Sequence, residues 1–352
     1  MSNQPPIGVP QGAIRFNTDS QKLEFYAQDR WYEMATDFPY LGGNGNASTD
    51  PTGNSSEKSA GARGIFTIAI TSPASIINYL TIPSAGDSIN FGNLSSNRIN
   101  AAALASRTRA VFGSGYVPSP AASTCVIDFV TIASTGNATS FGALTYRNYV
   151  PAAFSNQTRG IYAGGFDLPA GGQQDHISLI TIASEGNGTD FGDLITAANS
   201  PEGTASPTRG LIAGGQTPTR LNRIEFVTIA STGDAQDFGD LTELKAGIGA
   251  LSSATRAVFC GGYHSSVFKT IEKVEIATKG NAQNFGDLTT VRRFCGGMSD
   301  CVRGVVAAGH NPSATSNIDY FNISTGGDAV DFGDQTNAGQ TSGTSNAHGG
   351  LG

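Results

Sequence analysis

The chain has 352 residues, only 14% of them charged, with 46 glycines and 15 prolines, a balance that suits short strands joined by many turns rather than long helices. Its formal charge of -7 and pI of about 5.1 argue against a nucleic-acid partner, because holding phosphates takes clustered Lys and Arg. No apolar run approaches the ~18 residues of a membrane-spanning helix, and no N-terminal signal peptide is expected.

Residues 1–40 stand apart from the rest. Gly12 to Tyr26 reads as strand, Asx-rich turn and strand, and Arg30-Trp31-Tyr32-Glu33-Met34 begins a third strand. Leu23 and Phe25 alternate with Lys22 and Glu24, which predicts a hairpin with Leu23 and Phe25 on its buried face and the charged pair opposite. A region this short buries too little apolar surface to fold alone. Ile14, Phe16, Leu23, Phe25, Tyr26 and Trp31 are therefore expected to be covered by a partner or by self-association. Residues 41–60, rich in Gly, Asn and Ser, read as a flexible linker.

From residue 61 the sequence repeats. A Phe-Gly pair returns at Phe91, Phe141, Phe191, Phe238, Phe285 and Phe332, in steps of 50, 50, 47, 47 and 47 residues. Nine residues before each Phe stands Ile, from Ile82 to Ile323, and five before it stands Gly followed by Asn or Asp, from Gly86-Asp87 to Gly327-Asp328. A Gly-Asx pair between apolar runs predicts a tight hairpin in which the Asx side chain bonds its own backbone. Arg63, Arg109, Arg159, Arg209, Arg256 and Arg303 each open another apolar run. From Phe to the next Arg is always 18 residues, whereas from Arg to Ile the count runs from 19 to 23. All length variation thus falls in one connection, after a Gly-rich strand.

Each unit reads as four strands, a to d; in the fifth they are expected at Gly247–Ser253, Arg256–Cys260, Ile271–Ala277 and Ala282–Leu288. Four short antiparallel strands at this period predict the blade of a β-propeller. The apolar run ending in Gly-Gly, the hairpin and the aromatic opening the last strand resemble kelch repeats, with Phe where kelch blades usually carry Trp. The expected fold is all-β: a six-bladed kelch-like β-propeller over residues 61–352, preceded by the small N-terminal module. One more a-like strand, Gly343 to Gly349, follows the last Phe-Gly, while the first unit begins with the poor strand sequence Gly53 to Lys58. The C-terminal strand is therefore expected to become the innermost strand of the first blade and close the ring. An open solenoid, which would need capping repeats, is the competing architecture.

A residue repeated in every blade solves a packing problem common to every blade. On that ground the six Arg are expected to bond backbone or carboxylates between blades, the six Phe to fill the core, and Asp193, Asp240, Asp287 and Asp334 to be structural. Kelch-type copper oxidases need clustered His ligands and a Tyr-Cys pair; here His176, His264, His310 and His348 fall in different repeats. Cys125, Cys260, Cys295 and Cys301 form no CxxC, although Cys295 and Cys301 are close enough in sequence to pair across a turn. The Asp boxes of sialidase-type propellers are matched without their Trp and leading Asp. No metal, cofactor or catalytic residue is expected.

The unrepeated residues carry the functional expectation. The b–c and d–a connections of an antiparallel blade share one face, and the b–c segments here carry Tyr116, Phe166, Asp167, Arg220, Tyr263, His264, Phe268 and His310. Aromatic and polar groups on variable loops of a rigid frame suit sugar stacking or protein anchoring.

The N-terminal pattern Gly12-x-Ile14-Arg15-Phe16-Asn17-Thr18-Asp19, with Leu23, Glu24, Tyr26 and Trp31, resembles short modules in tail-fibre-like and other structural proteins of bacteriophages, notably marine cyanophages. The resemblance implies a non-enzymatic virion protein, a tail fibre or capsid appendage assembled in the host cytoplasm. It would dock on other virion proteins through residues 1–40 as a homo-oligomer such as a trimer, and display the propeller to a host-surface glycan or protein or to a neighbouring subunit. Neither nucleic-acid binding nor membrane insertion belongs to this expectation. The alternative is a soluble kelch-type lectin or carbohydrate-active enzyme.

Overall fold

A computed structural model describes residues 10, 12–17, 22–27, 30–33, 62–69 and 75–352, in two units, residues 1–59 and residues 60–352. Among the described residues the structure is all-β apart from one 3-10 turn, Gly349–Leu351. Among those residues no helix is long and apolar enough to cross a membrane. The expected linker, residues 41–60, lies outside the described residues.

In the first unit, Ile14–Asn17, Lys22–Ala27 and Arg30–Glu33 form a three-stranded antiparallel sheet, with Ile14 opposite Phe25 and Tyr26 opposite Trp31. The facing differs from expectation at Glu24, which is buried together with Tyr26. The cause is Arg15, whose Nε donates to Glu24 Oε2 at 2.8 Å while its guanidinium lies 4.3 Å from the Trp31 ring centre. A carboxylate with a bonded cation tolerates burial that a lone one would not. Ile14 is exposed. The side chains of Phe16, Leu23 and Phe25 lie outside what is described.

The second unit is a six-bladed β-propeller whose blades are four-stranded antiparallel sheets in the order a-b-c-d. In the fifth blade the strands are Gly249–Ser252, Arg256–Cys260, Thr270–Glu275 and Gln283–Asp287. The first blade takes its a strand from the C-terminus. Gln340–Ser345 lies antiparallel on Arg63–Ala69, with Gln340 opposite Ala69 and Ser345 opposite Gly64.

The repeated residues hold neighbouring blades together. Ile82, Ile132, Ile182, Ile229, Ile276 and Ile323 are all buried, and each Phe of the Phe-Gly pairs packs in an apolar cluster spanning its own blade and the next. Arg109 Nη1 donates to the carbonyl oxygens of Ile182 and Ala183 in the next blade at 3.2 and 3.1 Å, with its guanidinium stacked on Phe129. The other five Arg reach the following blade in the same way.

The Gly-Asx pairs do something other than the expected tight hairpin. In the second blade the c strand ends at Thr131 and the d strand begins at Thr139, so the connection is a longer loop. Its Gly136 N–H donates to Phe91 O at 2.9 Å, and Asn137 Oδ1 accepts from Asn93 N at 3.1 Å, both in the preceding blade. Two main chains meet here, and the strict need for glycine falls on the Phe-Gly side: a Cβ on Gly92, which has φ +158°, would overlap the Gly136 carbonyl, whereas one on Gly136 would meet open space. The seam between the sixth and first blades repeats the pattern, with Gly86 N to Phe332 O at 2.8 Å, Asp334 N to Asp87 Oδ1 at 2.9 Å, and Arg303 Nη1 to Ile82 O at 3.0 Å.

Cys295 and Cys301 are not joined. They flank the extended strand Gly296–Ser299, whose length alone is roughly 10 Å at about 3.3 Å per residue, beyond disulfide reach.

Candidate binding face

The b–c loops and d–a linkers are stitched together on one face. The linker entering a blade bridges to that blade's b–c loop at Ile99 and Tyr116, Tyr149 and Phe166, Asn199 and Gln216, Ala246 and Tyr263, and Arg293 and His310. The linker leaving the blade accepts a second bond, as from Gly165 N to Ala198 O at 2.8 Å and from Gly262 N to Arg292 O at 2.9 Å. Two sets of backbone bonds per loop make a firm floor for the side chains above it.

The eight expected binding residues divide into two groups. In the second and third blades, Tyr116 and Phe166 both pack against Tyr149, each with ring centres 5.7 Å from it. Burial, followed by the nearby Tyr116, raises the Tyr149 phenol above its usual range. Asp167 is tied down by Ser123 Oγ at 2.7 Å and faces Arg147 at 3.8 Å. In blades four to six, Tyr263 is the hub: Arg220 and Arg293 place their guanidinium carbons 4.6 and 4.4 Å from its ring centre, and Phe294 lies 5.8 Å away. His310 joins through its backbone bridge to Arg293. Phe268 takes the Lys245 ammonium 5.1 Å from its ring centre, and His264 is exposed on the turn beside Tyr263.

Tyr149, Arg293 and Phe294 escape a reading confined to b–c loops because they lie on d–a linkers. The signal was available in the repeat register. The linker position just before each a strand takes a left-handed conformation in five blades (Asn100, Val150, Ser200, Gly247, Phe294, φ from +51° to +59°). Residues beside a fixed bend have a fixed direction, so unrepeated aromatic and cationic side chains there belong to the same face. A second cluster also went unseen: Asp175, His176 and Asp193 bring their ligand-type atoms within 4.8 Å of one another, with Tyr146 stacked on His176 at 3.7 Å.

The central channel is narrow. Its mouth on the binding face, lined by Thr67, Ala102, Pro151, Glu202 and Thr341 among others, holds about 40 Å³, room for a few waters. Among the described residues Glu202 is the one carboxylate lining it, and desolvation pushes its pKa up to about 8. The opposite mouth is filled by the C-terminus. His348 Nε2 donates to Ala105 O at 2.9 Å while Gly350 N donates to His348 Nδ1 at 3.1 Å, and Arg107 Nη2 donates to the carbonyls of Leu351 and Gly352. Burial lowers the His348 pKa to about 4, which keeps the imidazole neutral.

No protein-family model matches the chain, and a search of curated proteins finds no match either.

Proposed function

We propose that this chain is a non-enzymatic structural protein of a bacteriophage particle, docked through residues 1–40 and displaying its propeller for binding. One observation carries the display half: the repeated polar residues are consumed in blade-to-blade bonds, whereas the unrepeated aromatic and cationic ones gather on the face of the b–c loops and d–a linkers. That division of labour is expected of a rigid frame bearing a grafted recognition surface. The resemblance of the Gly12 to Trp31 pattern to phage modules supports the virion half. Among the described residues Glu202 is a single carboxylate at this mouth, where glycoside hydrolysis normally uses two across the scissile bond, which favours a binding role for this mouth over the glycosidase alternative.

Deleting residues 1–40 in the phage that encodes the chain tests the docking half. The truncated protein should be made and remain folded yet be missing from purified particles. Normal incorporation contradicts the proposal.

A further inference from the structure

We infer that the group around Tyr263 is a recognition site for the oxyanions of an acidic saccharide, that is, carboxylate or sulfate substituents. The inference rests on the proposal that this face is displayed for binding, and adds the chemistry of what it binds.

The observation concerns how arginines are used in this ring. Arg63, Arg109, Arg159, Arg209, Arg256 and Arg303 donate to carbonyls of the next blade. Arg98 and Arg292 are bound to Asp128 and Asp319, Arg223 and Arg147 face Glu225 and Asp167, and Arg107 holds the C-terminus. Arg220 and Arg293 alone, among the described residues of the ring, have neither a carboxylate within 4.0 Å nor a hydrogen-bond acceptor; both stack on the Tyr263 ring, and Arg293 lies over Phe294 as well.

A chain with 28 acidic residues against 21 Lys and Arg has carboxylates to spare, yet two guanidiniums share one aromatic ring without any. Stacking fixes the plane of each fork and leaves hydrogen-bonding capacity unused, which is the preorganisation that makes Arg a selective partner for carboxylate and sulfate geometry. Arg220 Nε, Arg293 Nε and His310 Nδ1 are all buried without a partner, so local polar bonding on this patch is incomplete within the protein itself. Both Arg side chains remain half-exposed, within reach of a ligand. Arg220 belongs to the fourth blade, Tyr263 to the fifth, and Arg293 with His310 to the entry of the sixth, on connections stapled by backbone bridges. An extended chain bearing an anion on successive sugars matches such a row better than a single small anion does.

The test is a titration of the full chain with three hexasaccharides: a uronate with free carboxylates, a sulfated galactan and a neutral glucan. Wild type should bind at least one acidic probe, more weakly as salt rises, and leave the neutral one unbound. Arg220→Gln and Arg293→Gln should each weaken that binding about tenfold or more, with thermal melting unchanged. Arg293→Lys should recover only part, because the charge survives while the planar fork is lost. The uronate and sulfate arms tell the two sources of oxyanion apart. Equal binding of the neutral glucan, indifference to both substitutions, or binding of none of the three overturns the inference. So does a preference for an acidic peptide over every saccharide. Particle incorporation is scored separately, so failure here is distinguishable from failure of the docking proposal.

Discussion

Arg292 and Asp319 meet at 2.6 Å with both side chains wholly buried, and they are one instance of a correlated pair running round the ring. The c-strand position of Asp319 is held in turn by Asn78, Asp128, Ser178, Glu225, Glu272 and Asp319, and the d–a linker position of Arg292 by Arg98, Asn148, Ala198, Lys245, Arg292 and Gly339. Where the strand residue is Asp128, Glu272 or Asp319, the linker supplies Arg98, Lys245 or Arg292. The fourth blade breaks the rule. Glu225 faces Ala198, turns to Arg223 instead, and its carboxyl is raised by burial.

Removing one partner of such a pair strands a buried charge. Arg292→Met should destabilise the ring by about 3–5 kcal/mol, whereas Arg292→Met with Asp319→Leu should cost far less. A denaturant double-mutant cycle checks this, and additive losses would show the pair to be uncoupled.

Glycines of the Phe-Gly pairs should be more sensitive than those of the Gly-Asx turns. In Gly142→Ala the new Cβ meets the backbone of Gly186, while in Gly186→Ala it meets open space and only the positive φ remains costly. The first variant should lose about 2–4 kcal/mol and the second about 1–2. Chemical denaturation of the two measures the gap.

His348 makes the C-terminal plug sensitive to pH. Its folded pKa, about 4, lies below the ordinary imidazole value of 6.5, so the unfolded chain takes up the proton first as pH falls. Stability from this group is therefore complete above about pH 6.5, declines down to about pH 4 and is flat below, by about 3 kcal/mol in all. Subtracting the melting profile of His348→Gln from that of wild type isolates the effect from the carboxylates. A difference that stays constant from pH 7 to pH 4 would remove His348 as the titrating group.

Truncation after Gly339 should expose the Arg63–Ala69 strand along its whole inner edge, because among the described residues Gln340–Ser345 is its only partner on that side. An uncovered, largely buried strand invites association. The shortened chain should aggregate or melt well below wild type by light scattering and circular dichroism, and a monomeric ring of unchanged stability would contradict this account of the closure.

Much of the ring was legible because repetition converts packing into spacing: a constant Phe-to-Arg interval marks strands whose neighbours never change, so the number of blades and the burial of the Ile and Phe positions follow from counting. The Arg63 series was legible for the same reason. The face bearing Tyr116, Phe166 and Tyr263 followed from chain direction within an antiparallel sheet. Their division into two groups did not, since it depends on linker residues such as Tyr149 and Arg293 that approach from the preceding blade.

By itself, then, the sequence determined what recurs every 47 to 50 residues, because local strand pairing and side-chain alternation act over short distances along the chain. Tertiary structure alone decided the partner of each polar group. Asn137 bonds Asn93 of the blade before it instead of its own turn, His348 closes a channel against Ala105, and Arg220 and Arg293 converge on Tyr263. These are contacts through space between residues tens to hundreds of positions apart, and a hydrogen bond or a stacked ring is fixed by three-dimensional proximity, on which the order of residues along a chain is silent until the ring has formed.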